Sequence, residues 1–320
     1  MAEDEGVLLL HTSNRRLESP TLDTSFASPE PVERRWSGRP LARSAYRART
    51  REPGSPAPGV HCPGPNEKVD PTRRERPGAS VRTRQDPGRP VSPAAAVAFD
   101  LETTGVDPFV DAPVSFAFAW RDVSGAVAAD SGLVDPGRAI PAGATRVHGI
   151  NDAMVAGAPG LASAIPDLAD RLEAIWREGG VVVGMNVAYD LTMVDTLLGR
   201  LGLARLGERG VGAVADVLVL DRHVDRYRRG KRTLSDLCAH YGVALDGAHS
   251  AAEDAAASLE LFERLVERYP ELAATPTERL TETLAGWHRD WLAGFSRYLE
   301  RKGEGPVDPG RYDWPLHAAP

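Results

Sequence analysis

The sequence predicts an α/β fold, a five-stranded mixed sheet flanked by helices over residues 94–270, behind a disordered tail (1–93) and ahead of a C-terminal helical extension (271–320). The first observation behind this is a break in composition near residue 93. The leading 93 residues hold 14 of the 26 prolines and 16 Lys/Arg against 12 Asp/Glu, with almost no apolar periodicity, so they bury too little apolar surface to offset the entropy of ordering. The remaining 227 residues carry 22 basic and 33 acidic groups, a net of −11, yet keep long Ala/Val/Leu-rich stretches able to build a core. The second observation is a run of three strand-like segments after residue 95, and the third is an alternation of helical and short apolar segments after those. Together they imply a mixed sheet with helices on its faces.

Taken in order, Val97–Leu101 reads as the first strand. Val114–Trp120 and Ala126–Leu133 follow, and Asp122-Val123-Ser124-Gly125 between them predicts a hairpin. Ile165, Leu168, Leu172 and Ile175 recur at helical spacing until Gly179-Gly180 stops the helix, and Val181-Val182-Val183-Gly184 is short and continuously apolar, as a buried strand is. A helix starting near Asn186, a favourable N-cap, runs on through Leu191 to Leu201. Val214–Leu220 reads as the fifth strand, and Thr233–Tyr241 and Ala251–Tyr269 as two further helices. Beyond Pro276 a last helix places Leu280, Leu284, Trp287, Trp291, Phe295 and Tyr298 at steps of three or four. That stripe is expected to pack on the main domain, with a partner surface as the alternative.

The acidic balance argues against tight binding of nucleic acid through a broad basic surface, but not against a nuclease, because bound metals supply positive charge where phosphate approaches. Cys62 and Cys238 form no disulfide framework and no metal-ligand spacing, so a reducing compartment is expected. The opening Met-Ala-Glu-Asp-Glu is too acidic, and Val7–Leu10 too short, for a signal peptide, and no stretch of 18 apolar residues exists. A cytoplasmic protein without membrane contact is the expectation. The arginines of the tail, such as Arg34-Arg35 and Arg73-Arg74-Glu75-Arg76, read as a solvated appendage rather than a nucleic-acid arm.

Several acids stand where apolar residues belong. In a strand, Asp100 and Glu102 share a face about 6–7 Å apart. They are either a strand end pointing into solvent or a site for Mg²⁺ or Mn²⁺, cations held mostly by oxygen. Asp190 shares a helix face with Val194 and Leu197, the side that packs inward, whereas Asp195 falls away from it and reads as surface. A carboxylate on the inward side costs several kcal/mol unless it is paired or bound to a cation. Ser250 and Glu253 form a capping box, which puts His249 before the helix and Asp254 at its fourth residue, in line with Ser258, Leu261 and Leu265. A local His–Asp pair would explain the last two alone. Four acids and a histidine drawn from one strand and two helix starts also fit a two-metal site with a group able to take a proton near neutral pH.

In this order these residues resemble the DnaQ-like 3′–5′ exonucleases of the DEDD superfamily, histidine subtype, a family that includes the proofreading subunit of bacterial replicative polymerases. Asp100-Leu101-Glu102-Thr103-Thr104-Gly105 matches the first motif, Asn186 to Asp190 the second with Met185 and Tyr189 in place of His and Phe, and His249 to Asp254 the third. His148-Gly149-Ile150, Asp216-Val217-Leu218, Leu234-Ser235-Asp236-Leu237-Cys238 and Tyr241-Gly242 agree as secondary marks, and the likeness covers about residues 95–268. The resemblance implies a ribonuclease H-like fold and two Mg²⁺ (or Mn²⁺) ions, bridged by Asp100, with Glu102 and Asp254 completing one site and Asp190 holding the other. It implies His249 as general base, main-chain contacts to the terminal nucleotide near Thr103 and Thr104, and Asn186 as a further substrate contact. The implied reaction removes nucleoside 5′-monophosphates from single-stranded 3′ ends, with DNA the first expectation and RNA the alternative.

One feature is this chain's own: Arg226-Tyr227-Arg228-Arg229-Gly230-Lys231-Arg232 puts five cations and an aromatic into seven residues. Arg228, Arg229 and Lys231 are candidates to grip a strand backbone, with a solvated loop as the other reading. A polymerase or other protein could dock on the C-terminal helix. A non-catalytic adaptor on the same fold is the rival outside enzymes, and the complete acidic set speaks against it.

Overall fold

The computed structural model describes residues 90–245 and 250–319, so the tail up to residue 89, Cys62 and His249 lie outside the described residues. The chain runs β1 (Ala96–Thr103), β2 (Pro113–Arg121), β3 (Val127–Leu133), α1 (Ala142–His148), α2 (Asp152–Val155), α3 (Leu161–Arg177), β4 (Val181–Gly184), α4 (Ala188–Arg200), α5 (Leu206–Arg209), β5 (Ala213–Asp216), α6 (Val217–Val224), α7 (Leu234–Tyr241), α8 (Ala251–Arg268), α9 (Pro270–Ala273) and α10 (Thr277–Lys302). The strands form one five-stranded sheet in the order β3-β2-β1-β4-β5. β1–β2 and β2–β3 are antiparallel, β1–β4 and β4–β5 parallel. This is the five-stranded mixed sheet that the sequence predicts.

The pleat of β1 sorts the layers. Phe99 pairs with Phe118, their rings 4.9 Å apart, and the guanidinium of Arg171 from α3 lies 4.1 Å from the Phe118 ring while it pairs with Asp130 of β3. α3 therefore covers the Phe99 face. Opposite it, Ala98, Ala117 and Ala119 let α8 approach closely, and Arg121 clamps that helix through two hydrogen bonds to Glu263, 2.6 and 2.9 Å long. Asp100 and Glu102 lie on this second face, at the open end of the central strand.

Three boundaries and one surface reading differ from the expectation. Residues 90–93 belong to the fold: Val91 is buried and donates its N–H to Thr275 O, and Pro90 pairs with Pro276. The fifth strand ends at Asp216, whose carboxylate accepts Leu218 N–H at 2.9 Å and so caps α6. Val217–Leu220 is buried, and a short run that is apolar throughout shows no period by which strand and helix can be told apart. Asn186 is not the N-cap of α4; Val187 is, and Asn186 stands before it at φ 59°, a left-handed conformation that asparagine tolerates. Asp195 is more than surface, since it accepts Gly207 N–H at 3.1 Å and anchors α5.

The extension read over 271–320 shares the main core, for Leu272, Leu280, Leu284 and Trp314 join the same buried cluster as the sheet. α10 packs on β5 and α6 through Leu280, Leu284 and Trp287, whereas Trp291, Phe295 and Tyr298 are only half-buried and stack on one another. The following segment folds back across the helix, with Val307 N–H on Ser296 Oγ and His317 N–H on Thr192 Oγ1 of α4. Among the described residues no helix is long and apolar enough to cross a membrane.

Gly184 ends β4 because a Cβ there would stand 2.9 Å from the Phe99 carbonyl oxygen and 2.8 Å from Val187 Cβ. The Phe99 carbonyl belongs to the central strand and Val187 is the α4 N-cap, so neither neighbour yields without disturbing its element. Gly184→Ala should lower unfolding stability by about 1–3 kcal/mol, measured by urea titration, and an unchanged midpoint would contradict the close packing described.

Candidate active site

The site is built where β1 runs past its parallel neighbour. β4 pairs only with Ala96–Ala98, so the end of β1 extends beyond it on that side. α4 fills the gap: Asp190, in its first turn and 5 % exposed, takes a backbone hydrogen bond from Leu101. From the α8 side, Ser250 caps the helix by accepting Glu253 N–H at 3.3 Å and its hydroxyl donates to the Glu253 carboxylate at 2.9 Å. That start sets Asp254 one residue on, facing the strand. One carboxylate oxygen each from Asp100, Glu102 and Asp254 lie within 4.8 Å of one another, all three groups being half-buried.

Electrostatics makes the cluster unfavourable by itself. Burial raises the Asp100 carboxyl well above its usual range, and the charges of Asp190, Asp254 and Glu102 raise it further. Burial and then Asp254 push Glu102 up to about 7. Asp190 is raised chiefly by burial, with hydrogen bonds from its own backbone and from Leu101 working against the rise. Among the described residues no arginine or lysine pairs with Asp100, Glu102 or Asp190. Oxygen donors at this spacing, with neither sulfur nor nitrogen among the three, suit a hard divalent cation such as Mg²⁺ or Mn²⁺. The residues present therefore fit the metal expected of them.

The turn after β1 is closed upon itself. The Thr103 hydroxyl and the Tyr189 hydroxyl both donate to Gly105 O at 2.6 Å, 3.1 Å from each other. Thr104 is buried, donates its hydroxyl to Asp111 Oδ1 at 2.9 Å and its N–H to Ala112 O at 2.9 Å. Thr104 is thus left without a donor for a nucleotide, contrary to the expectation, because both of its polar hydrogens hold this turn. Gly105 is required here, since a Cβ would stand 2.4 Å from Asp111 Oδ2. His148 ends α1 with its ring toward the Thr103 backbone and its Nδ1 accepting Ile150 N–H at 3.1 Å.

Asn186 is exposed beside this cluster and gives its N–H to Asp216 Oδ1 at 3.0 Å. Asp216 is 1 % exposed, and burial pushes its carboxyl up to about 6 against the hydrogen bonds from Asn186 and Leu218. The basic run stands apart. Arg229 and Lys231 are exposed, but Arg228 turns inward to Asp221, 3.3 Å away, and so is not available to a strand. Sequence reasoning missed Asp111, the anchoring roles of Tyr189 and Asp216, and Asp221. An aspartate inside the apolar run Val214–Leu220, and another just after it, was the signal available for the last two.

Fold and site together define an α/β domain whose central strand and two helix starts present clustered carboxylates. Residues 97–262 match the model of the RNase_T family, described as exonuclease, and the chain belongs to that family. It is 34 % identical over 182 residues to the DNA polymerase III subunit epsilon-like protein of Rhodobacter capsulatus, covering 55 % of this chain and 24 % of that protein. It is 28 % identical over 179 residues to the DNA polymerase III subunit epsilon of Treponema pallidum, 55 % of this chain and 78 % of that one. Against a PolC-type DNA polymerase III from Caldanaerobacter subterraneus the identity is 26 %, over 59 % of this chain and 13 % of that protein. The chain thus spans a quarter or less of the length of two of these three relatives. Among solved structures, Escherichia coli Exonuclease I in complex with a dA16 oligonucleotide aligns at 18 % identity and TM-score 0.47, over 61 % of this chain and 43 % of that one.

The raised carboxyls set the pH dependence. Glu102 has an ordinary value of 4.5 and a folded one of about 7, so in that interval the native state holds more protons than the unfolded chain. Its stabilising contribution is complete below the lower value and lost as pH climbs through the upper. In a chelating buffer Tm should therefore fall from about pH 5 to about pH 8, and added Mn²⁺ should raise Tm more at the higher pH. A flat or rising Tm without metal would contradict the coupling.

Proposed function

We propose that this chain is a divalent-metal-dependent 3′–5′ exonuclease acting on single-stranded DNA and releasing nucleoside 5′-monophosphates. The observation that carries the reading is the convergence of Asp100, Glu102 and Asp254 within 4.8 Å, with Asp190 close enough to raise Asp100. DNA as the substrate is supported by the names of the epsilon-type relatives. RNA is the alternative, since carboxylates of this kind act on phosphate and not on sugar.

Asp100, Glu102 and Asp254 would hold one Mg²⁺ or Mn²⁺, and Asp190, approaching from α4, would share a second with Asp100. Metal bound there offsets the charge that develops on the phosphate and on the departing 3′ oxygen, and makes water a better nucleophile. His249, one residue before the α8 N-cap Ser250, is assigned the proton of the attacking water. Water oxygen bonds to phosphorus, the bond from phosphorus to the 3′ oxygen breaks, and the proton passes through the imidazole to that oxygen. The Thr103–Tyr189–Gly105 hydrogen bonds keep the end of β1 rigid while the terminal nucleotide is seated. Placement in a polymerase assembly through α10 belongs to the same proposal, supported only by the relatives' names.

With 5′-labelled single-stranded DNA and Mg²⁺, the wild type should give a ladder of progressively shorter labelled products. Asp100→Ala and Asp254→Ala should each slow it at least about 100-fold while keeping the wild-type fold by circular dichroism. Immediate release of labelled mononucleotide would reverse the direction, and full activity in Asp100→Ala would place the chemistry elsewhere.

A further inference from the structure

The run Arg226–Arg232 takes no part in the acidic site, and its side chains divide by direction. Arg228 and Arg232 turn inward onto Asp221, a carboxylate with no exposed surface. Both guanidinium groups bond its Oδ2, while the Tyr241 hydroxyl donates to Oδ1 at 2.8 Å. Arg228 Nη1 also donates to Lys231 O at 3.2 Å and Arg232 Nη2 to Asp225 O at 2.6 Å. The loop is thereby closed on itself and fastened to α6 through Asp221 and to α7 through Tyr241. Gly230, at φ 95°, supplies the reversal this needs.

The other side chains face solvent. Arg226, Arg229 and Lys231 are exposed, and Tyr227 is 87 % exposed, the one exposed Phe, Trp or Tyr among the described residues. Its protein neighbour is the Arg226 guanidinium, 5.9 Å from the ring centre. An exposed aromatic ring beside the Arg226 guanidinium, on a loop that also exposes Arg229 and Lys231 and is held by a buried ion cluster, has the makeup of a stacking platform for unpaired bases with contacts for the phosphates between them. Duplex bases have no free face to offer it. In a region of net −11 this is a local attraction and not a basic surface.

The loop follows the helix that leaves the C-terminal end of β5, the sheet end at which parallel β1 carries its carboxylates. α6 starts at Asp216, which holds Asn186, and its eight residues carry the loop about 12 Å onward.

We infer that Arg226, Tyr227, Arg229 and Lys231 form a subsite for single-stranded nucleic acid, separate from the carboxylates, and that Asp221 is the positioning residue that keeps its shape. The inference rests on the exonuclease reading only for the direction in which the strand leaves. Stacking and phosphate contacts here add affinity for long strands and contribute nothing to bond cleavage.

Two probes separate the two readings. One is a single strand of about twelve nucleotides, labelled and followed by fluorescence anisotropy in a chelating buffer, where nothing is cleaved. The other is the p-nitrophenyl ester of thymidine 5′-monophosphate, too small to reach both places. Tyr227→Ala should weaken binding of the long strand, DNA or RNA, about 5- to 100-fold and leave hydrolysis of the ester unchanged, and Tyr227→Trp should restore affinity. Arg229→Ala with Lys231→Ala should flatten the salt dependence of binding. Asp221→Asn should weaken the same binding but add little to Tyr227→Ala, because both act through one loop. Unchanged affinity in Tyr227→Ala overturns the subsite, as does an equal loss on a blunt duplex or on the ester. Wild type inert toward the ester speaks against the exonuclease reading alone, since the anisotropy arm still decides the subsite.

Discussion

Repulsion among carboxylates is the constraint that organises this domain. Two unit charges 4.8 Å apart, the limit for the oxygens of Asp100, Glu102 and Asp254, repel by roughly 3 kcal/mol at the effective dielectric of a protein. No charge of opposite sign among the described residues lies against Asp100 or Glu102 to relieve them. The cluster persists because elements with large apolar faces are locked around it. β1 is held on both edges, α8 is seated on alanines and clamped by Arg121, and α4 is tied down through the Leu101 N–H. Asp190 and Asp254 also sit in the first turns of their helices, where the backbone dipole favours negative charge. The fold stores the conflict, which a cation of suitable hardness would relieve.

The surroundings are ordered to keep that arrangement from relaxing. The loop after β1 is closed by the Thr103, Tyr189 and Asp111 side chains, so the strand end does not splay away from its charged neighbours. Asp216 links two junctions at once, capping α6 with one hydrogen bond and holding the turn into α4 with another. Burial disfavours its charge, and the hydrogen bonds from Asn186 and Leu218 that offset this join the exit of β5 to the exit of β4. Asp111 and Asp216 thus hold backbone groups, whereas Asp100, Glu102 and Asp254 have oxygens turned toward one another.

Much of this was legible in the sequence because periodicity and capping agree with tertiary packing. The hairpin after Trp120, the stop at Gly179-Gly180 and the Ser250 cap all follow local rules. The acids were legible because each interrupts an apolar pattern that otherwise predicts burial. The fifth strand was overrun because Val217–Leu220 is buried all round and carries no period, and Asn186 was misplaced by one residue because its favoured left-handed backbone imitates its capping preference. Arg228 looked like its neighbours in composition. Only its partner seven positions back in sequence, the buried Asp221, separates it from Arg229.

The contact between His317 and Thr192 closes a loop of 125 residues, and it ends two positions from Asp190. A ribosome makes the chain from its beginning, so the helix bearing that aspartate emerges long before the segment that braces it. Closure at such a sequence distance is slow compared with helix and hairpin formation. Docking of this segment on α4 is therefore a contact of high sequence separation, one that a chain still being translated makes only after the helix bearing Asp190 has emerged.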